Sequence, residues 1–117
     1  MPKLTEDEVE RAMPRVPEWG LVGEAIQRTF QFKDFQQSMR FVQLVAEAAE
    51  AANHHPDILI RYSRVTLTLQ THDAGGITEK DFDLAAKADA FAAELAPSQR
   101  STGTPAKPKK KGDGRGA

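Results

Sequence analysis

The chain has no cysteine. That excludes disulfides, zinc–thiolate centres, iron–sulfur clusters and cysteine nucleophiles. It has no apolar run near the ~20 residues a membrane span requires. Its first residues, MPKLTEDEVERAMPRVPEW, lack the apolar segment of a secretory signal. A soluble, cytoplasmic protein is the expectation. Histidine is also scarce, with three in 117 residues, so the place of each one matters.

What remains is ordinary globular composition, 39% hydrophobic and 28% charged, in a length that supports one core. The net charge of -1 hides an asymmetry. Residues 1–96 carry ten Lys/Arg against sixteen Asp/Glu, a net -6, while residues 97–117 carry six against one, a net +5. An acidic body argues against nucleic acid as its partner. From Pro97 the chain reads PSQRSTGTPAKPKKKGDGRGA, without large apolar residues. Such a segment buries too little surface to offset its ordering entropy, so the expectation is one domain over 1–96 and a disordered basic tail over 97–117. The cluster Lys107 to Lys111 is either a polyanion contact or a solubilising stretch.

Within the body, Thr5 and Glu8 have capping-box spacing and predict a helix to about Met13, ended by Pro14 and Pro17. Trp19 to Val22 reads as a short strand. Ala25 to Phe32 alternates, with Ile26, Phe30 and Phe32 against Gln27, Thr29 and Gln31, as a half-buried strand does. Asp34 is placed to cap a helix running from 35 to 52. Ile58, Ile60 and Tyr62, then Val65, Leu67 and Leu69, predict two strands joined by a turn near Ser63-Arg64. Thr78, with Asp81 at the capping-box position and Ile77 and Phe82 as a staple, opens a last helix to about residue 95. Consecutive strands with short links pair antiparallel. The predicted fold class is α+β: a four-stranded antiparallel sheet with helices packed on one face.

His54 and His55 follow the long helix, and His72 follows the last strand. A hairpin of the last two strands brings these positions to one end of the sheet, with Glu50 and Asp73 nearby. Three readings stand on the residues alone. One is an acid/base site, because imidazole titrates near neutrality and a carboxylate can tune it. Another is a three-imidazole metal site, although adjacent residues of extended chain point apart, which sets His54 and His55 against sharing an ion. The third is a set of polar residues closing a hairpin.

Glu50-Ala51-Ala52-Asn53-His54-His55-Pro56 resembles the E-x-x-x-H-H-P signature of the pterin-4a-carbinolamine dehydratases. Leu69 to Thr78 resembles their second signature, a T-H-[DE] step followed by a small-residue loop and a helix cap. Phe30-Gln31-Phe32-Lys33-Asp34-Phe35 resembles the F-x-F-x-D-F stretch that leads into their long helix. The similarity runs from about Leu4 to Leu95. Ile58 stands where some relatives have Trp, and Asp73 where some have Glu. The resemblance implies dehydration of 4a-hydroxytetrahydrobiopterin to quinonoid dihydrobiopterin, which recycles the pterin of aromatic amino acid hydroxylases. It implies no metal, flavin or nucleotide cofactor. By position it makes His54 and His72 the acid/base imidazoles, His55 a pterin-binding residue, and Glu50 the carboxylate that orients an imidazole. Asn53 and Gln70, Thr71, His72 and Asp73 become substrate-lining. Relatives of this fold also act without catalysis, as a dimerisation cofactor or an assembly chaperone, and that is one alternative; a pterin-binding regulator with weak turnover is the other.

The long helix also carries an expectation about assembly. Phe35, Met39, Val42, Val45, Ala46 and Ala49 form a stripe expected to face the sheet. Phe41, Leu44, Ala48, Ala51 and Ala52 then form an apolar reverse face, expected to be covered by another copy of the chain. Relatives form dimers and tetramers through this helix, so a homo-oligomer through 35–52 is expected.

Overall fold

The computed structural model describes residues 2–95. Residues 97–117, read from sequence as a disordered basic tail, lie outside the described residues, as does Ala96 at the expected domain boundary. Three helices and four strands follow in the order α1 (Glu6–Ala12), β1 (Gly20–Val22), β2 (Ala25–Gln31), α2 (Phe35–Ala52), β3 (Asp57–Arg61), β4 (Arg64–Leu69) and α3 (Glu79–Leu95). The strands form one sheet in the order β1-β2-β4-β3, and every neighbouring pair is antiparallel. The architecture is the α+β class expected from sequence. Among the described residues, no helix is long and apolar enough to cross a membrane.

The local signals act as their chemistry dictates. Thr5 and Glu8 close a reciprocal capping box on α1. The Asp34 side chain accepts the Gln37 backbone N–H at the start of α2. Alternation along β2 and β4 puts Ile26, Phe30, Val65, Leu67 and Leu69 on the helix side. Gln27, Thr29, Thr66 and Thr68 take the open side, where Gln27 bonds Thr68 and Thr29 bonds Thr66 across the strands. The helices fill the buried face with Phe41, Val45 and Ala49 from α2 and Phe82, Ala85 and Ala88 from α3. Phe41 packs its ring 4.6 Å from Phe30 and 4.9 Å from Phe32. Trp19, just ahead of β1, and Arg28 on β2 both reach Asp89 on α3, at 2.9 and 2.6 Å, and tie that helix to the β1–β2 half of the sheet.

Two expectations are corrected. The first is the roll of α2. Its core line is Ser38, Phe41, Val45 and Ala49, whereas Phe35 is 48% and Met39 40% exposed. Phe41, expected outside, is at the centre of the core, and Phe35 and Met39, expected inside, face out. The apolar arc of this helix is wider than one face, and its centre falls on a serine. Ser38 is buried because its hydroxyl donates to the carbonyl of Asp34, one turn back, at 3.1 Å. A hydrophobic stripe drawn through apolar residues alone passes over this serine, and so centres the helix on the wrong part of the arc.

The second correction is the β3–β4 turn. It falls on Tyr62-Ser63 and pairs Arg61 with Arg64, one residue earlier than expected. Moving the turn by one residue slides the pairing by two, and side chains then keep their faces, so alternation alone does not separate the two registers. Tyr62 consequently leaves the strand. It sits at φ 54 and is 67% exposed.

Candidate functional site

The histidines lie where α2 ends, β4 ends and α3 begins. Asn53 terminates α2 in the left-handed conformation, φ 52 and ψ 46, and donates its backbone N–H to Glu50. The next N–H, that of His54, returns to the carbonyl of Ala49 at 3.0 Å. This paired closure is a Schellman motif, and Asn is one of the few non-glycine residues that adopt it readily. The motif folds His54 back under the end of the helix and leaves His55 pointing to solvent.

His54 is 7% exposed, and its Nε2 lies 2.5 Å from Oδ1 of Asp81, a carboxylate with no exposed surface. Oδ2 of Asp81 accepts the Thr71 hydroxyl at 3.0 Å and the Thr78 backbone N–H at 2.9 Å. Thr71 and Thr78 are also in contact, hydroxyl to hydroxyl, at 2.8 Å. A buried charge is tolerated when it is paired and fully hydrogen-bonded, and this one is held by three donors. With Nε2 committed to Asp81, Nδ1 is the ring nitrogen free for other chemistry.

His55 and Glu50 form a second, exposed pair, Nε2 to Oε2 at 2.8 Å. His72 and Asp73 stand exposed on a 3₁₀ turn over His72–Ala74, which Gly75 closes at φ 77. The turn is anchored by Thr71, whose carbonyl accepts the N–H groups of Ala74, Gly75 and Gly76 and whose own N–H bonds Gly76. His72 is therefore one residue from the Asp81 network. The structure thus groups the sequence candidates into three places: buried His54 with Thr71, exposed His55 with Glu50, and the exposed His72-Asp73 turn beside Thr71. Gln70 is half-buried where the chain leaves β4, and Asn53 is exposed and serves as the helix terminator. Thr71, expected to line substrate, is buried with its hydroxyl already engaged inside the protein.

Two residues of this constellation, Asp81 and Thr78, signal only a helix cap in the sequence. They do cap α3, since Lys80 N–H donates to the Thr78 hydroxyl and Thr78 N–H to Asp81. The signal for the second role was the Asp itself. A capping box usually has Glu or Gln at this position, and the shorter carboxylate stays tucked against the helix start, where it also meets His54. Among the described residues, no three His, Cys, Asp or Glu side chains are grouped so as to hold a metal ion. A shallow groove lined by Phe35, Met39, Val42 and their polar neighbours lies on the N-terminal half of α2, away from the histidines.

A family profile described as "Pterin 4 alpha carbinolamine dehydratase" matches residues 2–91. A Picosynechococcus protein provisionally named pterin-4-alpha-carbinolamine dehydratase is 52% identical over 87 residues, 74% of this chain and 95% of its own length. A provisionally so-named protein of Acidobacterium capsulatum is 53% identical over 91 residues, 78% of this chain and 99% of its own. Among solved structures, a transcriptional coactivator/pterin dehydratase from Brucella melitensis superposes with a TM-score of 0.75 at 41% identity, covering 77% of this chain and 98% of that one. A pterin dehydratase-like protein described as a RuBisCO assembly factor of the alpha-carboxysome gives 0.53 at 25% identity, over 63% of this chain and 86% of that one.

Proposed function

We propose a dehydratase function for this chain, which belongs to the pterin 4 alpha carbinolamine dehydratase family: conversion of 4a-hydroxytetrahydrobiopterin to quinonoid dihydrobiopterin and water. The observation that carries the reading is the His54–Asp81 pair, with His72 one residue from the same network. Breaking the C4a–O bond needs a proton on the departing hydroxyl. The adjacent ring nitrogen loses its proton, and the released electron pair becomes the new C=N bond. One group must give a proton while another takes one, and two imidazoles are suited to both tasks. In this reading His54 and His72 are the catalytic pair, Asp81 orients His54, and His55 with Glu50 binds the pterin. Asn53, Gln70 and Asp73 border the substrate.

The reading includes a cytoplasmic setting, a link to an aromatic amino acid hydroxylase, and a homo-oligomer formed through α2. In this reading the contact is made by the outward residues of α2, Phe35 and Met39 with half-buried Val42 beside them, a choice supported by their exposure. The test is direct: the purified protein, mixed with chemically prepared 4a-hydroxytetrahydropterin, should accelerate its decay over buffer. Decay at the buffer rate would overturn the reading.

A second reading is an interaction protein without turnover. It is favoured by the outward apolar stripe of α2 and by the assembly-factor relative. The same decay assay separates the two.

A further inference from the structure

The hydrogen bonds around Asp81 have directions that chemistry fixes. As a carboxylate, Asp81 only accepts. Thr71 gives its single hydroxyl proton to Oδ2, so in the 2.8 Å contact with Thr78 it must be the acceptor, and Thr78 donates. Thr78 in turn accepts from Lys80 N–H at 3.2 Å. The chain of donors runs one way, from the first turn of α3 through two hydroxyls to Oδ2. Oδ1 is left to His54, 2.5 Å from Nε2, and opposite an acceptor that nitrogen must carry the proton.

We infer that Thr78 and Thr71 are positioning residues which, acting through Asp81, hold His54 as the Nε2–H tautomer and make Nδ1 the nitrogen that exchanges protons. Without the Thr71 hydroxyl, Oδ2 keeps only the Thr78 N–H, and without the Thr78 hydroxyl, Thr71 loses the donor that fixes its own direction; in either case Asp81, and the imidazole on it, is held less firmly. The placement serves a second end. Thr71 immediately precedes His72 and anchors its turn through the backbone, so the hydroxyl that steadies Asp81 also fixes the spacing between the two histidine-bearing segments. Neither threonine touches substrate in this account. The kinetic part rests on the dehydratase reading, whereas the tautomer part does not.

The test uses the full chain labelled with ¹⁵N-histidine. Ring-nitrogen shifts of His54 are followed by NMR through a pH titration, in wild type and in Thr78→Val, Thr71→Val and Thr78→Ser. In the neutral ring, the wild type should show a protonated Nε2 and a bare Nδ1. The two valine variants should show mixed tautomers, and Thr78→Ser should restore the wild-type pattern. In the decay assay, Thr78→Val should lower kcat about 10- to 100-fold, the scale for removing an outer-shell support of a histidine, with KM little changed and serine rescuing. An Nδ1–H tautomer in the wild type would overturn the proposal, and that measurement needs no variant to fold. So would a folded Thr78→Val that keeps both the wild-type tautomer and the wild-type kcat. A wild-type Nε2–H tautomer that is lost in Thr78→Val supports the proposal even where no turnover is found, and it is then the dehydratase reading that falls.

Discussion

Asp81 reaches His54 across twenty-seven residues of sequence, Oδ1 to Nε2 at 2.5 Å, with both side chains withdrawn from solvent. The contact joins the start of α3 to the end of α2, so it bears on stability as well as chemistry. Asp81→Ala should destabilise the fold by about 3–5 kcal/mol, because it strands the buried partners of the carboxylate. Asp81→Asn keeps the shape and should lose less, about 1–3 kcal/mol. Thermal melts of the three proteins check the order, and an alanine variant melting with the wild type would show that the contact is not holding the two helices.

Catalysis should divide among the histidines. His54→Ala and His72→Ala should each lower turnover by ~10²-fold or more, the scale of a lost acid/base group. His55→Ala should act mainly on substrate affinity, since His55 lies on the surface with Glu50. Steady-state kinetics on the hydroxypterin distinguish the two behaviours. Wild-type turnover in both the His54 and His72 variants would remove them from the mechanism.

Turnover should need no added metal. His54, His55 and His72 are directed to three different surroundings, and no ligand cluster forms among the described residues. Activity after EDTA treatment and desalting should equal that of the untreated protein. A complete loss reversed by zinc would contradict this.

The assembly prediction follows from the exposed edge of α2. Met39→Glu places a charge on the outward stripe without touching Phe41 or the core. It should dissociate the oligomer while leaving the fold intact. Light scattering reports the outcome, with the wild type at a multiple of 12.9 kDa and the variant nearer that value. A wild-type mass near 12.9 kDa would reject the oligomer.

Tyr62 offers a gain in stability. The two-residue turn of β1–β2 has Gly23 at φ 60, and that of β3–β4 has Tyr62 at φ 54 in the equivalent first position. An L-residue in this region carries about 1–2 kcal/mol of steric penalty, and an exposed tyrosine recovers little of it by packing. Tyr62→Gly should therefore stabilise the protein, by about 0.5–1 kcal/mol once the greater chain entropy of glycine is counted. The melting temperature should rise by a few degrees. A fall would mean that the ring makes a contact worth more than its strain.

The parts of the fold that could be read in the sequence are those set by neighbouring residues. Asp34 marked the start of α2, and the alternation in β2 and β4 separated Phe30 and Val65 from Thr29 and Thr66. The roll of α2 could not be read this way, because it depends on which arc of a broadly apolar helix the sheet and α3 select, and a hydrogen-bonded Ser38 sits at the centre of that arc. The site divides likewise. Crowding of the three histidines near one end of a hairpin followed from strand order. The burial of His54 did not, because its partner lies on another helix and has a sufficient local role as a cap.

The two ends of the described chain are unequal places from which to hold this protein. The N–H of Leu4 bonds the carbonyl of Ile77 at 2.8 Å, and the stem of Lys3 lies against Gly76, so anything joined ahead of these residues sits on the loop that carries His72. At the other end, the carbonyl of Leu95 accepts from Gln37 at 2.8 Å, beside the first turn of α2. Eighteen residues of helix, about 27 Å at 1.5 Å each, separate that turn from His54. A tag, fluorophore or surface linkage placed after Leu95 leaves the histidines unobstructed, whereas the same group at the front of the chain would crowd them.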